Sequence, residues 1–353
     1  MRILVDILHP AHVHFFRNAI SEFRKRGHEV AVTAREKDVT IELLNNFGIP
    51  YKKLSEVGRG RVGLLGELIA RDIRLWRFCR RFKPDVLTGI SGIFVAHVGF
   101  VLGRPSIVWD DTEHQKLAHA ITYPLATAYH CPDSYRKQLG KKQRFYAGCH
   151  DLAYLHPNRF TPDAQVVRSL GIDPAQRYCV IRLISWGAHH DVGQHGFEAN
   201  KKLDFVKALA QRAGVYITSE APLPADLEPY RLRVPAHQLH HVLAFASLCV
   251  TEGATVATEA SLLGVPAVYI NTLTAGVIEM FEEYGLIKRT TDTEEALRQS
   301  LQVLEEAGAK EKWAAARDRL LADKIDVTDY IVETIERAAE QHKGQNLHCC
   351  DLA

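Results

Sequence analysis

The 353-residue sequence predicts an α/β fold of two doubly wound, parallel-sheet halves in tandem, and three observations carry that prediction. Short apolar runs alternate with segments of helical period from the N-terminus to Cys131, and the alternation starts again at Tyr178. Strand–turn–helix junctions of small residues recur, most clearly in Thr251–Pro266 (TEGATVATEASLLGVP). The length supplies two cores of ordinary size.

In chain order, Ile3–Leu8 reads as a strand, Phe15–Phe23 as a helix ending near Gly27, and Glu29–Thr33 as a second strand. A helix around Ile41–Phe47, a strand at Tyr51–Leu54, a long helix at Leu64–Phe82 and a strand at Asp85–Thr88 follow. Phe94–Leu102 is helical, Ser106–Trp109 a strand, Lys116–Thr127 helical and Tyr129–Cys131 a weak strand. Tyr146–Asp163, rich in His, Pro, Asn and aromatics, fits neither period and reads as the connector. The second series runs through strand Tyr178–Ile184, helix Asn200–Arg212, strand Val215–Thr218, helix His237–Ala246, strand Leu248–Val250, the small-residue element, strand Ala267–Ile270 and helix Gly276–Tyr284. Helices at Thr293–Glu306, Lys310–Ala322 and Val327–Gln341 close it. The expected division is an N-terminal half at 1–150, a linker at 151–163, a C-terminal half at 164–325, a helix at 326–342 returning to the first half, and a tail at 343–353.

A net charge of +2 argues against general nucleic-acid binding, so basic surface must be local. No apolar stretch approaches the ~20 residues that span a bilayer. The N-terminus enters a strand without the apolar region of a signal peptide, and seven scattered cysteines read as reduced thiols, so a cytoplasmic location is expected. Lys52–Lys83 holds ten Lys/Arg against three acidic residues, interleaved with Leu, Ile, Trp and Phe. That pattern suits either packing on a sheet with solvated arginines or peripheral contact with an anionic membrane face.

Four loops follow expected strands, where open parallel sheets place ligands. His9-Pro10-Ala11-His12-Val13-His14 offers a general base, His12 first, although a helix cap is the plainer use. Trp109-Asp110-Asp111-Thr112-Glu113-His114 offers acid/base carboxylates at Asp110, Asp111 and Glu113, or an acidic turn that caps the next helix. Ser185–Gly196 carries His189 and His190, suited to a phosphate or leaving group; adjacent histidines rarely share one ion, so no metal is expected. The Thr251–Pro266 element aims backbone N–H groups and a helix N-terminus at one spot through Gly253, Ala254 and Thr255, with Glu259 a turn further to accept from ribose hydroxyls.

These residues resemble the GT-B group, which includes nucleotide-sugar glycosyltransferases and the non-hydrolysing UDP-N-acetylglucosamine 2-epimerases. Lys83–His114 is similar to the matching segment of the transferase that makes the lipid-linked disaccharide of peptidoglycan, and Ala11–Phe15 resembles the Gly-His first loop of many transferases, with Ala11 in place of glycine. The YAGCHDLAYLHPNRFTPD, SWGAHHDVGQHG and TEGATVATEA segments resemble most closely a bacterial and archaeal family carried as a domain of unknown function. The resemblance implies two Rossmann-like domains with parallel sheets facing across an interdomain cleft. It further implies a nucleoside-diphosphate sugar as substrate with no tightly bound cofactor, and a glycan or lipid-linked acceptor. In that frame His12 is the base, oriented by Asp110 or Asp111. His189 and His190 approach the leaving group, Gly253–Thr255 hold the diphosphate and Glu259 the ribose. The epimerases carry His-Arg-Arg-Glu in the third loop, where this chain has His189-His190-Asp191. The leading expectation is a UDP-sugar glycosyltransferase of envelope or surface polysaccharide synthesis. A UDP-sugar 2-epimerase and a non-catalytic sugar-nucleotide binder are the alternatives.

Overall fold

In the computed structural model the described residues are 1–56, 60–184, 196–198 and 200–350, the side chains of 60–62, 64, 65 and 345–350 lying outside that description. The chain forms two units, Met1–Tyr154 with Ile325–Ala353, and Leu155–Lys324.

The first unit holds strands β1 (Arg2–Ile7), β2 (Glu29–Glu36), β3 (Lys52–Glu56), β4 (Val86–Ile90), β5 (Ser106–Trp109), β6 (Ala128–Pro132) and β7 (Gln143–Tyr146). They form one parallel sheet in the order β3-β2-β1-β4-β5-β6-β7, which reverses direction between β1 and β4. β1 and β4 are buried on both faces, so they read as continuous apolar runs. Helices Pro10–Lys25 and Val327–Cys350 pack together, and Glu336 of the second takes Arg26 and His28, each at 2.8 Å. Helices Gly60–Phe82 and Ile93–Leu102 supply Leu75, Cys79, Phe94 and Val98 to the cluster on the other face.

The second unit holds β8 (Tyr178–Leu183), β9 (Gly214–Ser219), β10 (Leu248–Thr251), β11 (Ala267–Ile270) and β12 (Ile287–Thr290). Its parallel order is β12-β11-β10-β8-β9, so the winding reverses between β8 and β10.

Several expectations are corrected. β7 and β12 were not anticipated. Both are four-residue edge strands carrying Arg144, Lys288 and Arg289, and such edges look like polar loops in sequence. The connector does not begin at Tyr146: that residue ends β7, and Cys149, Leu152 and Tyr154 are buried in the first unit. The last helix does not stop before the expected tail but runs to Cys350. The basic stretch is not uniformly solvated either. Arg71 is fully buried and donates to Asp6 Oδ1 at 2.5 Å and Ser55 Oγ at 2.9 Å, with Phe94 beneath its guanidinium. Breaking such a buried pair costs about 3–5 kcal/mol, so Arg71 is a core residue. No described helix is long and apolar enough to cross a membrane. The five cysteines with described side chains are buried thiols outside any disulfide.

Candidate functional site

In the first unit the winding reverses at the carboxyl ends of β1 and β4. The turn after β4 is tight: Ser91 and Gly92 both take positive φ, and a Cβ on Gly92 would lie 2.4 Å from Val108 Cγ2. Helix Ile93–Leu102 therefore starts at Gly92 with no side-chain cap.

After β1, His9 caps helix Pro10–Lys25, its Nδ1 accepting from Ala11 N–H at 3.3 Å. His12 is buried, and its Nδ1 accepts from Leu8 N–H at 3.3 Å. A neutral imidazole that accepts at Nδ1 carries its proton on Nε2, so His12 presents a donor rather than a base. Burial, then the neighbouring His9 and His150, hold its pKa well below the ordinary imidazole value. His14 packs against Tyr154 and Phe47.

After β5, consecutive carboxylates go to different partners. Asp110 is 1% exposed and is engaged at Oδ2 by His119 Nε2 (2.6 Å), Tyr129 OH (2.9 Å) and Tyr135 OH (3.3 Å). Its Oδ1 accepts from Thr112 N–H. This carboxylate is fully employed within the fold, which corrects the expectation that it orients His12. Asp111 Oδ2 lies 3.1 Å from His150 Nδ1, in a side chain that remains 40% exposed. Burial alone would raise the Asp111 carboxyl, but the His150 charge and the Thr112 hydroxyl bring it down to about 2. Burial alone would lower His150, and Asp111 raises it above its ordinary value. Glu113 accepts from Arg136 N–H at 2.9 Å, at the protein surface.

His150 is the residue that sequence reasoning missed. Its ring packs on Phe15 at 4.5 Å, it is 8% exposed, and its Nε2 has no partner among the described residues. With a carboxylate at Nδ1 the tautomer is set, and Nε2 carries the lone pair when the ring is neutral. This is the orientation a general base requires. The buried Tyr146 hydroxyl is likewise without a partner among the described residues. The usable signal was positional, because His150 lies four residues beyond the end of β7, a strand the sequence reading did not include.

In the second unit, Gly253 is the N-cap of helix Ala254–Leu262 and no side chain caps it. Gly253 N–H bonds Thr251 Oγ1 at 2.9 Å, Ala254 is half-buried and Thr255 is exposed. The helix start thus lies at the carboxyl end of β10, where the winding reverses. Glu259 is 5% exposed, and its Oε1 lies 2.9 Å from His240 Nε2. It is therefore held inside its own unit by a histidine the sequence reading passed over. Glu252 is fully buried and accepts from Ile184 N–H and Phe197 N–H, each at 3.0 Å. Its carboxylate ties the two flanks of the third loop to β10. His189 and His190 lie outside the described residues. Among the described residues no cluster of three His, Cys, Asp or Glu is arranged to hold a metal ion.

Residues 1–181 match the family described as protein of unknown function, DUF354. An uncharacterised protein of Methanocaldococcus jannaschii is 27% identical over 124 residues, a match that spans 35% of this chain and 36% of that relative. Among solved structures, UDP-GlcNAc 2-epimerase from Neisseria meningitidis bound to UDP-GlcNAc is similar at TM-score 0.68 and 12% identity, over 96% of this chain and 100% of that one. Acinetobacter baumannii MurG is similar at TM-score 0.61 and 16% identity, with 96% and 100% covered. At such identities the likeness shows the fold alone, two Rossmann-like domains of GT-B type. The chain belongs to the DUF354 family and carries the GT-B fold.

Proposed function

We propose that this protein is a glycosyltransferase that uses a nucleoside-diphosphate sugar, UDP-linked, and passes the sugar to a glycan or lipid-linked acceptor. The observation that carries the reading is the Asp111–His150 pair. It is a carboxylate-oriented imidazole with an unengaged far nitrogen, on the strand-end side of a sheet of this fold class.

In this reading His150 Nε2 takes the proton of the acceptor hydroxyl as its oxygen bonds to the anomeric carbon. The bond from that carbon to the diphosphate breaks in the same step, and the nucleoside diphosphate leaves with the electron pair; in the second unit, the uncapped N–H groups at the start of helix Ala254–Leu262 are of the kind that suits a diphosphate. Glu259, oriented by His240, accepts from the ribose. Ile69 and Ile73 are 54% and 43% exposed beside the exposed Arg77 and Arg80, and we assign a lipid-linked acceptor to this helix face.

A 2-epimerase is the second reading, because the carboxylate-oriented imidazole serves proton abstraction as well as it serves an acceptor hydroxyl. The same imidazole would then remove a proton from the sugar ring. Turnover of a sugar nucleotide without an acceptor separates the two.

The test of the common part is a thermal-shift titration with UDP, GDP, ADP and their sugar derivatives, repeated on Thr255→Glu. That variant puts a carboxylate where the diphosphate would lie while suiting the helix dipole. One nucleotide at a hundredfold excess over its Kd should stabilise the fold by about 2.7 kcal/mol, and the variant should lose the shift. The absence of a shift with every nucleotide would overturn the reading.

A further inference from the structure

The first unit has a concavity at the opposite end of strands β5, β6 and β7 from Asp111 and His150. A cavity of about 730 Å³ is lined by Arg104 and Pro105, which precede β5, by Leu125 and Thr127, which precede β6, and by residues of the last helix. Asp111 and His150 follow the carboxyl ends of β5 and β7, so this cavity belongs to the other end of the strands. Its volume is in the range that takes a small-molecule ligand.

The last helix explains why the space is open. Ile331, Val332, Ile335 and Ala339 are buried, whereas Tyr330, Thr334, Arg337 and Gln341 recur at helical spacing and line the cavity. That strip borders β6 and β7 at His130 and Arg144. Tyr330 OH bonds His130 Nδ1 at 2.9 Å, which fixes a buried polar floor. Burial, then the Arg144 charge, push His130 down to about 4, so that ring is neutral at physiological pH.

The charge of the lining comes from the guanidiniums. Arg104, Arg144 and Arg337 face a single carboxylate, Glu333. Arg144 is held by the carbonyls of Lys141 and Gln143 at 2.7 and 2.8 Å. Arg104 and Arg337 have no side-chain hydrogen bond or ion pair among the described residues. Unpaired guanidiniums around one concavity are matched by a group with several anionic oxygens, since each planar fork bonds two of them. The exposed Phe100 ring at the rim and Tyr330 offer apolar contact to the rest of such a ligand.

We propose that this cavity is a second ligand site, separate from the sugar-nucleotide site, and that it binds a phosphate-bearing anion through Arg104 and Arg337. The occupant bridges the last helix to the strand edge at Arg104 and so fastens that helix to the first unit. The phosphate is that of a soluble phosphorylated metabolite or of an anionic lipid headgroup, chemistries that the site reads in the same way.

The test uses the full chain, with inorganic pyrophosphate in calorimetric titration and sedimentation with vesicles of phosphatidylglycerol or of phosphatidylcholine. Three proteins are compared: the unaltered chain, Arg104→Gln/Arg337→Gln, and Thr255→Glu. Loss of two charge-assisted bonds should weaken pyrophosphate binding at this cavity roughly tenfold or more in the double variant, while Thr255→Glu, which obstructs only the diphosphate position proposed above, leaves binding at the cavity in place. Hydrogen exchange over residues 333–342 should slow with pyrophosphate only where Arg104 and Arg337 are present. If the double variant loses pyrophosphate, the ligand is soluble; if it loses only phosphatidylglycerol vesicles, the source is a headgroup. Binding of both probes unchanged in a double variant that melts like the unaltered chain would overturn the proposal, as would binding of neither probe by the unaltered chain.

Discussion

Asp110 and Asp111 are adjacent in sequence and opposite in circumstance. Side chains alternate faces along β5, and the alternation persists past its end. Asp110 falls with Val108 on the side of Tyr129 and Tyr135, where those two hydroxyls and the His119 ring are turned toward it. Asp111 falls with Trp109 on the side of helix Pro10–Lys25, where its one imidazole partner has an unengaged nitrogen. A carboxylate surrounded by hydrogen-bond donors stabilises the fold and has no capacity left for chemistry. A carboxylate that orients one histidine and stays partly exposed costs some stability and leaves a reactive atom available.

The largest effect that sharpens this contrast is on turnover. His150→Gln should lower kcat by about 10²–10⁴-fold once the substrate pair is known, in a chain that still folds and whose denaturation midpoint falls about as far as that of Asp111→Asn, which breaks the same pair. Equal losses from His12→Gln would break the assignment of the base. Next in size is Asp110→Ala, which strands His119, Tyr129 and Tyr135 in the interior. Urea denaturation should show a loss of about 3 kcal/mol, and a loss below about 1 kcal/mol would mean the network is not structural.

Asp111→Asn separates the two roles by pH. His150 is raised above 6.5 in the folded chain, so the neutral base appears only as pH rises through that value, and the acid limb of kcat/KM should lie above 6.5. Without the Asp111 charge, burial is opposed only by the weaker charges of Asp151 and Asp110, and the limb should move to lower pH. The stability linkage follows the same signs. The raised histidine contributes below 6.5 and loses its contribution as pH climbs through its folded value. The depressed Asp111 contributes above 3.8 and loses its contribution as pH falls toward about 2. The stability deficit of Asp111→Asn should therefore be greatest between 3.8 and 6.5 and shrink at higher pH. A deficit independent of pH would remove the ion pair from the account. The smallest effect is expected at Glu113, whose contact is one backbone N–H at the surface: Glu113→Gln should change stability by less than about 0.5 kcal/mol and leave turnover near normal.

The doubly wound architecture was legible because buried parallel strands are short, apolar and separated by helical periods. The edges were not, since β7 and β12 carry charges along short strands. The missed β7 hid the site as well, because without that strand His150 read as part of a connector and not as a residue beyond a strand end. Single residues in the motifs were visible, but their partners were not. Nothing local in the sequence says that His240, nineteen residues before Glu259, holds it, or that Glu252 reaches back sixty-eight residues to Ile184 N–H. Such pairings come from the strand order, which places β8 beside β10. Local periodicity carries no record of that order.

The most direct test is ¹⁵N NMR of the histidine ring nitrogens across a pH titration, with the His150 and His12 signals assigned by their loss in His150→Gln and His12→Gln. His150 should titrate above 6.5 and, when neutral, carry its proton on Nδ1; His12 should stay neutral far below that value with its proton on Nε2. The reverse pattern, with His12 protonated on Nδ1 and titrating above His150, would contradict the account and return the role of base to His12.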